Sequence, residues 1–183
     1  MPTDLDGHPL VGGDLTLLPW RDVTSIPGVR DDLVAASNDP EMVRWTTVPH
    51  PYTAAHADEF LGVPAPGVAR WAYVVDGRYA GNIELRPGGV LGYNTAPWAR
   101  GRGLTLRAVR LVTQRAVADG APRLEIHVAE GNVASRSVAH KAGYTYDGFL
   151  PEPARQRGYV DELVRYVLLA EGEEAPKRTD IAP

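Results

Sequence analysis

The chain has 183 residues, of which 44% are hydrophobic and 23% charged, a length and composition typical of one soluble globular domain. Its formal net charge of −4 disfavours a general nucleic-acid binder, and its lack of cysteine excludes disulfides, thiolate metal sites and a catalytic cysteine. No apolar stretch is long enough to span a bilayer and the N-terminus shows no secretory signal, so the sequence predicts a cytoplasmic protein without nucleic-acid or membrane partners.

Hydrophobic periodicity divides the chain into strands and helices between two irregular ends. Residues 1–13 are predicted to form a flexible arm, residues 14–170 a single domain, and residues 171–183 a disordered tail. A Pro-rich loop around Trp45 and Tyr52 joins the first two helices. In chain order, the predicted elements are a strand at Asp14–Pro19, helices at Val29–Ser37 and Ala54–Gly62, strands at Arg70–Val75, Tyr79–Arg86 and Val90–Thr95, a helix at Gly103–Asp119, a strand at Arg123–Ala129, a helix from Asn132 to Ala142, and strands at Tyr144–Phe149 and Val160–Leu169.

The order of these elements, β-α-α-β-β-β-α-β-α-β-β, indicates an α+β fold with a central mixed, twisted β-sheet flanked by helices. Asp76-Gly77 between two of the strands is a strong hairpin signal. The helix Gly103–Asp119 joins the strands Val90–Thr95 and Arg123–Ala129, and parallel strands require a crossover of this kind. The sequence therefore predicts one parallel pair within an otherwise hairpin-rich sheet.

The run Arg100-Gly101-Arg102-Gly103 lies at the junction between a predicted strand and a long predicted helix. Glycine lets the backbone approach a ligand, and the first N–H groups of a helix have no intrahelical partner, so such a junction can bind phosphate. Leu106 stands where a dinucleotide-binding fingerprint needs a third glycine, and a Walker loop is absent. Gly-x-Gly also occurs in ordinary solvated turns, so the run alone leaves both interpretations open.

Two segments around this junction resemble the acetyl-CoA motif of the GNAT superfamily of N-acetyltransferases. The first runs from Gly92 to Gly103, and the second, with its Asn-x-x-Ser and Lys-x-Gly-aromatic patterns, from Asn132 to Tyr144. The resemblance covers residues 14–169 and points to the branch that acetylates the N-termini of ribosomal proteins. Trp98 departs from the Gln or Arg that is usual in the motif.

The resemblance implies an enzyme that moves an acetyl group from acetyl-CoA, without a metal, to a primary amine. The pantetheine arm is expected in a gap between splayed parallel strands, against the backbone of Asn94, Thr95 and Ala96 and beside Asn132. The pyrophosphate is expected on the junction, with the Thr105 hydroxyl as an added donor. The junction residues implied are Arg100, Gly101, Arg102, Gly103, Leu104 and Thr105.

Direct attack requires a neutral amine, so a lysine-like acceptor needs a general base whereas an α-amine needs less help. Glu84 is the first candidate for this base, and His127, on a strand beside the same gap, is the second. Many relatives protonate the leaving thiolate with a tyrosine at the position of Ala139, so the resemblance assigns this role to Ser135. Each candidate also has an ordinary alternative, as a solvent-facing glutamate, a structural histidine or a helix-cap residue.

The acceptor pocket is expected in the parts of the family that vary most. The residues expected to line it are Trp45, Tyr52, Trp71 and Asn82. Arg155 and Arg157, near the end of the domain, are candidates for favouring an acidic acceptor, although a solvated hairpin tip would also explain them. The histidine spacings do not resemble a metal-ligand cluster.

The sequence leaves the acceptor open among a protein N-terminus, a polyamine and an amine-bearing antibiotic. Because the usual tyrosine is absent at Ala139, a non-catalytic module that binds acyl-CoA is an alternative function. Transfer of a longer acyl group, such as succinyl, is another. The resemblance also allows a homodimer.

Overall fold

The computed structural model describes residues 8–170, which are organised around an eight-stranded sheet. The strands are β1 (Leu10–Gly12), β2 (Leu15–Pro19), β3 (Ala69–Val75), β4 (Arg78–Arg86), β5 (Val90–Thr95), β6 (Arg123–Ala129), β7 (Thr145–Phe149), β8 (Ala154–Gln156), β9 (Tyr159–Asp161) and β10 (Leu163–Leu169). The helices are α1 (Val29–Ser37), α2 (Pro40–Trp45), α3 (Ala54–Phe60), α4 (Leu104–Ala118) and α5 (Val133–Lys141), with short 3₁₀ segments at Trp20–Ser25 and Pro97–Ala99.

The strands of the large sheet follow the order β1-β2-β3-β4-β5-β6-β10-β7. Strands β5 and β6 are parallel, and the other neighbours in this sheet are antiparallel. Strands β8 and β9 form a separate hairpin. The predicted α+β class and the predicted parallel pair are confirmed.

Helices cover both faces of the sheet because alternate strand residues divide between two apolar cores. On β3, Trp71 and Tyr73 pack in the core that contains Val109 of α4. Ala72 points the other way, into the core that contains Leu33 of α1 and Ala57 of α3. Burying a large apolar side chain contributes roughly 1.5–3 kcal/mol, so the two layers together hold the sheet between the helices.

Strand β1 lies within the segment predicted to be a flexible arm, which corrects that prediction for residues 10–12. The strand pairs with β2 through a turn at Gly13, whose φ is 66°. Arg107 of α4 also donates to the Gly12 carbonyl at 3.0 Å and pairs with Asp14. Residues 1–7 of the predicted arm, and the predicted tail at 171–183, lie outside the described residues.

Helix α2 lies in the segment predicted to be a Pro-rich loop. It forms because the Asp39 side chain accepts a hydrogen bond from the Met42 N–H, and Pro40 occupies the first helical turn, where its missing donor costs nothing. The predicted last strand is also divided into β9 and β10. Within residues 8–170, no helix combines the length and apolar character needed to cross a membrane.

Candidate functional site

Strands β5 and β6 separate after a short parallel ladder. The ladder ends at the pair Leu91–Ile126, although β5 continues to Thr95 and β6 continues to Ala129. Paired strands lie about 4.8 Å apart, so the loss of pairing opens a gap in the sheet at the carboxyl end of β5. The gap leads directly to the junction before α4.

Alternate residues of β5 direct their backbone groups into this gap. The Ala96 N–H donates to the Ala80 carbonyl at 2.9 Å, which fixes the alternation of the β4–β5 ladder. Because hydrogen-bonded pairs alternate in an antiparallel ladder, Asn94 also directs its backbone towards β4, whereas Tyr93 and Thr95 direct theirs into the gap. The backbone groups of Asn94 and Ala96 are thus directed to β4 and that of Thr95 to the gap, and the predicted contacts of pantetheine with these residues stay predictions.

The junction before α4 presents backbone N–H groups at the end of the gap. Gly101 and Gly103 have φ angles of 76° and 70°, a region that glycine enters without strain. Helix α4 begins at Leu104 without a side-chain cap, so its first N–H groups are available to an anion. The Arg100 N–H donates to the Pro97 carbonyl at 3.3 Å, so the available donors begin at Gly101 rather than at Arg100.

The two arginine side chains of the junction are held by carboxylates from other elements. Arg100 pairs with Asp39, the residue that caps α2. Arg102 lies 3.3 Å from Asp14, in the turn between β1 and β2. These pairs fix the junction against two distant parts of the fold.

Two further contacts hold the junction against the sheet. The Thr105 Oγ1 lies 2.5 Å from the Thr95 Oγ1, which joins the first turn of α4 to the end of β5. Trp98, where the sequence departs from the acetyl-CoA motif, donates its indole N–H to the Tyr79 carbonyl at 3.2 Å. The Trp98 side chain therefore anchors the junction on β4.

A pair of hydroxyl groups lies between β5 and α5. The Tyr93 hydroxyl is 2.9 Å from the Ser135 Oγ. Burial raises the pKa of Tyr93 to about 12 against the opposing effect of its hydrogen bond with Ser135, so this hydroxyl stays protonated at ordinary pH. Ala139 is fully buried, and its methyl side chain supplies no hydroxyl group. Sequence reasoning missed the Tyr93 hydroxyl. Strand alternation places Tyr93 on the same face of β5 as Leu91, which packs in the core beneath α4.

The Asn132 side chain caps α5 and positions Ser135. Its Oδ1 accepts a hydrogen bond from the Ser135 N–H at 3.1 Å. This cap satisfies one of the first helical N–H groups. The cap uses the oxygen of the amide, and the predicted contact of Asn132 with pantetheine stays a prediction.

His127 and Glu125 form a pair on β6, next to the point where the strands separate. The His127 Nε2 lies 2.6 Å from the Glu125 Oε2. If Nε2 carries the proton, Nδ1 of the neutral imidazole is free to accept another. Burial acts to raise the pKa of Glu125, but hydrogen bonds from His127 and Arg123 outweigh it and lower that pKa. Sequence reasoning missed the contact between Glu125 and His127. Their i, i+2 spacing on a predicted strand places both side chains on one face and could have indicated it.

Glu84 is buried between two arginines. Its Oε2 accepts a hydrogen bond from the Arg70 Nε at 2.9 Å, and its Oε1 accepts one from the Arg86 Nε. Gly92 on β5 permits this arrangement, since a Cβ there would lie 3.0 Å from the Arg86 guanidinium. Both carboxylate oxygens are thus used to hold guanidinium groups, which favours His127 over Glu84 as a proton acceptor.

A cavity of about 430 Å³ lies on the face of the sheet opposite α4. Its walls include the apolar side chains of Leu33 and Phe60, and Tyr52 also lines it. Asn82, which like Tyr52 is predicted to line an acceptor pocket, forms part of its polar floor together with Asn94. Since Asn94 belongs to β5, this floor reaches the strand that borders the gap.

Trp45 and Trp71, also predicted to line an acceptor pocket, do not line this cavity. Trp71 is fully buried in the core beneath α4, because it lies on the opposite strand face from the cavity-lining residues. Trp45 ends α2, donates to Glu41 at 2.9 Å and stacks under the Arg44 guanidinium.

The Arg157 side chain attaches the β8–β9 hairpin to α2. It donates to the carbonyls of Val43 and Thr46 at 2.8 and 2.9 Å. Arg44 and Asp161 add an ion pair at 2.7 Å between the same two elements. Arg157 is therefore a hairpin anchor, and its predicted effect on the choice of acceptor stays a prediction. Within residues 8–170, no group of three or more acidic or histidine side chains could hold a metal ion.

Comparison with protein families matches residues 15–145 to the acetyltransferase (GNAT) domain. No curated protein sequence matches the chain. Among solved structures, the fold is similar to RimL, the ribosomal L7/L12 alpha-N-protein acetyltransferase, in complex with coenzyme A. The TM-score is 0.77 at 14% identity, over 91% of this chain and 100% of that one.

Two other solved structures show a similar likeness. The microcin C7 self-immunity acetyltransferase MccE, in complex with acetyl-CoA and AMP, gives a TM-score of 0.73 at 16% identity, over 86% of this chain and 93% of that one. The ribosomal-protein-S5-alanine acetyltransferase of Vibrio fischeri gives 0.71 at 14% identity, over 92% and 100% of the two chains. At these identities, the likeness shows a shared fold.

Proposed function

Because the chain belongs to the GNAT acetyltransferase family, whose domain spans residues 15–145, we propose that it transfers an acetyl group from acetyl-CoA to a primary amine held in the cavity. One observation carries this proposal: the β5–β6 gap joins the phosphate-binding junction to the strand that forms part of the cavity floor. A donor lying in the gap would reach an acceptor in the cavity without any rearrangement of the sheet.

The chain's own residues fit coenzyme A along the whole gap. The N–H groups from Gly101 into the first turn of α4 would bind the pyrophosphate. Tyr93 and Thr95 would bind pantetheine through their backbone groups, as a third strand binds at an open sheet edge. MccE with acetyl-CoA and RimL with coenzyme A support this assignment by their shared fold.

Acceptor activation is assigned to His127. The imidazole accepts the proton of the attacking amine at Nδ1, while the hydrogen bond from Nε2 to Glu125 fixes the orientation of the ring. His127 does not itself line the cavity, and it lies one residue beyond the last paired position of β6. A backbone N–H of β5 facing the gap would stabilise the developing oxyanion.

Protonation of the leaving sulfur is assigned to Ser135. The Ser135 hydroxyl donates its proton to the thiolate, and the Tyr93 hydroxyl then donates a hydrogen bond to the Ser135 oxygen that is left charged. His127 then releases its proton to solvent and Ser135 takes one up from solvent, so the cycle leaves the protein unchanged. This hydroxyl pair would replace the tyrosine missing at Ala139.

A thiol-release assay with acetyl-CoA and a panel of primary amines tests the proposal. We expect release of free coenzyme A that depends on the amine, with Ser135→Ala and His127→Ala both slower. Running the panel with succinyl-CoA distinguishes acetyl transfer from transfer of a longer acyl group. Calorimetric binding of acetyl-CoA without thiol release from any amine would identify a non-catalytic binding module and overturn the enzyme assignment.

A further inference from the structure

We propose that the acceptor carries a carboxylate close to its amine, and that Arg70 and Asn82 bind this carboxylate on the floor of the cavity. The inference rests on the proposed acetyl transfer and names its substrate class. It follows from two side chains that line the cavity and whose donors are only partly used within the fold.

Arg70 presents a fixed guanidinium whose charge is only partly neutralised. Its ion pair with Glu84 uses Nε and Nη2, so the two donors on Nη1 remain for a ligand. Glu84 is shared with Arg86, and the three groups together carry one net positive charge. The guanidinium also lies 4.3 Å from the ring centroid of Phe60, which holds its plane.

Asn82 supplies a second set of donors next to Arg70. Its side-chain Oδ1 accepts hydrogen bonds from the Tyr79 hydroxyl at 2.9 Å and from the Asn94 Nδ2 at 2.7 Å. These two bonds fix the orientation of the amide, and the two N–H donors of its nitrogen remain for a ligand. Burial raises the pKa of Tyr79, so its hydroxyl continues to donate. Asn82 is 4% exposed.

The position of these donors sets the distance between carboxylate and amine. Asn82 pairs directly with Asn94 on β5, the strand that borders the gap. Adjacent strands lie about 4.8 Å apart, so a carboxylate at Asn82 lies only a few bonds from an amine at the gap. Charge-assisted hydrogen bonds from an arginine to a carboxylate are roughly twice as strong as neutral ones, which favours a carboxylate over a neutral carbonyl.

The rest of the cavity fits an acceptor with an apolar side chain. Leu33 and Met42 face it from α1 and α2. The ionisable groups besides Arg70 are Tyr52 and Tyr79, whose pKa values burial raises, Glu59, which is exposed, and His56, whose Nδ1 accepts the Thr53 N–H at 3.1 Å. Solvent screens the Glu59 charge at the mouth of the cavity, so Arg70 dominates its floor.

Three matched acceptors test the inference: leucine, leucinamide and 3-methylbutylamine, which is leucine without its carboxylate. We expect kcat/KM for leucine to exceed that for each of the other two by at least about tenfold, as a charged hydrogen bond stabilises by about 1.5–3 kcal/mol. Arg70→Met should reduce this preference. Arg78→Met is the matched control, because Arg78 forms an exposed ion pair with Asp32, and it should leave the preference unchanged.

A binding measurement on the wild-type chain decides the question even if Arg70→Met fails to fold. In the presence of coenzyme A, calorimetry should show N-acetylleucine binding at least about tenfold more tightly than N-acetyl-3-methylbutylamine. Equal affinities, or equal kcat/KM for the three amines, would overturn the carboxylate site and leave acetyl transfer intact. Absence of thiol release from every amine would instead contradict the proposed function, while the calorimetric comparison would still decide the carboxylate site.

Discussion

The Tyr93 hydroxyl lies 2.9 Å from the Ser135 Oγ, so a strand residue and a helix residue meet beside the gap in the sheet. The two residues are 42 positions apart in the chain. Asn132 completes the arrangement by holding the Ser135 N–H. In the proposed mechanism, this contact supplies the proton donor that Ala139 lacks.

Ser135→Ala is expected to lower kcat by about 100-fold or more, because the leaving thiolate loses its acid. Tyr93→Phe should lower kcat less, and the double variant should be little slower than Ser135→Ala, since residues that act as a unit are not additive. Steady-state thiol release measures all three. Ser137→Ala on the same helix is the control, and an equal loss in that variant would show that the effect is structural.

His127→Ala is expected to lower kcat by about 100-fold with a lysine-like amine and by less with an α-amine, because the α-amine is more often neutral at ordinary pH. Glu84→Gln should instead raise KM for the acceptor, because loss of the ion pair with Glu84 leaves the Arg70 guanidinium without a fixed orientation. Comparing kcat and KM for the two variants separates proton transfer from acceptor binding. A large loss of kcat in Glu84→Gln with full activity in His127→Ala would assign the base to Glu84.

Gly103→Val is expected to weaken coenzyme A binding by about tenfold or more. A positive φ costs a non-glycine residue about 1–3 kcal/mol. If the backbone relaxes to avoid this strain, the N–H groups of the junction move away from the ligand. Gly120→Val is the matched control. Gly120 follows α4 at its other end, with a φ of 86° and open space around it like Gly103. Calorimetry should show weaker binding in the first variant only, and unchanged affinity in Gly103→Val would remove the phosphate assignment.

Glu125 should contribute to stability in a pH-dependent way. Its pKa in the folded chain lies below the ordinary value of 4.5. The contribution is therefore fully present above 4.5 and is lost as pH falls through the lower folded value. Urea unfolding of the wild type and Glu125→Gln between about pH 7 and about pH 3 should show a stability difference that shrinks on acidification. A difference that stays constant with pH would contradict this role.

Local patterns in the sequence determined the secondary structure that positions the site. The alternation of Leu124, Ile126 and Val128 predicted β6, and helical periodicity predicted α4, within a residue or two of their observed ends. The strand–helix junction at Gly101 and Gly103 was also visible, because a positive φ is a local requirement that glycine meets. Such features depend on neighbouring residues, so the sequence alone reveals them.

Only the tertiary structure decided which partner each side chain meets. Alternation places Trp71 and Ala72 on opposite faces of β3, but the face that α4 covers follows from packing between distant segments. Likewise, the backbone direction of Asn94 follows from its ladder with β4. The Tyr93–Ser135 contact forms because α4 carries the chain from β5 to the parallel strand β6, and α5, which follows β6, then contacts β5. These relationships depend on long-range register and helix placement, which a pattern of neighbouring residues does not contain.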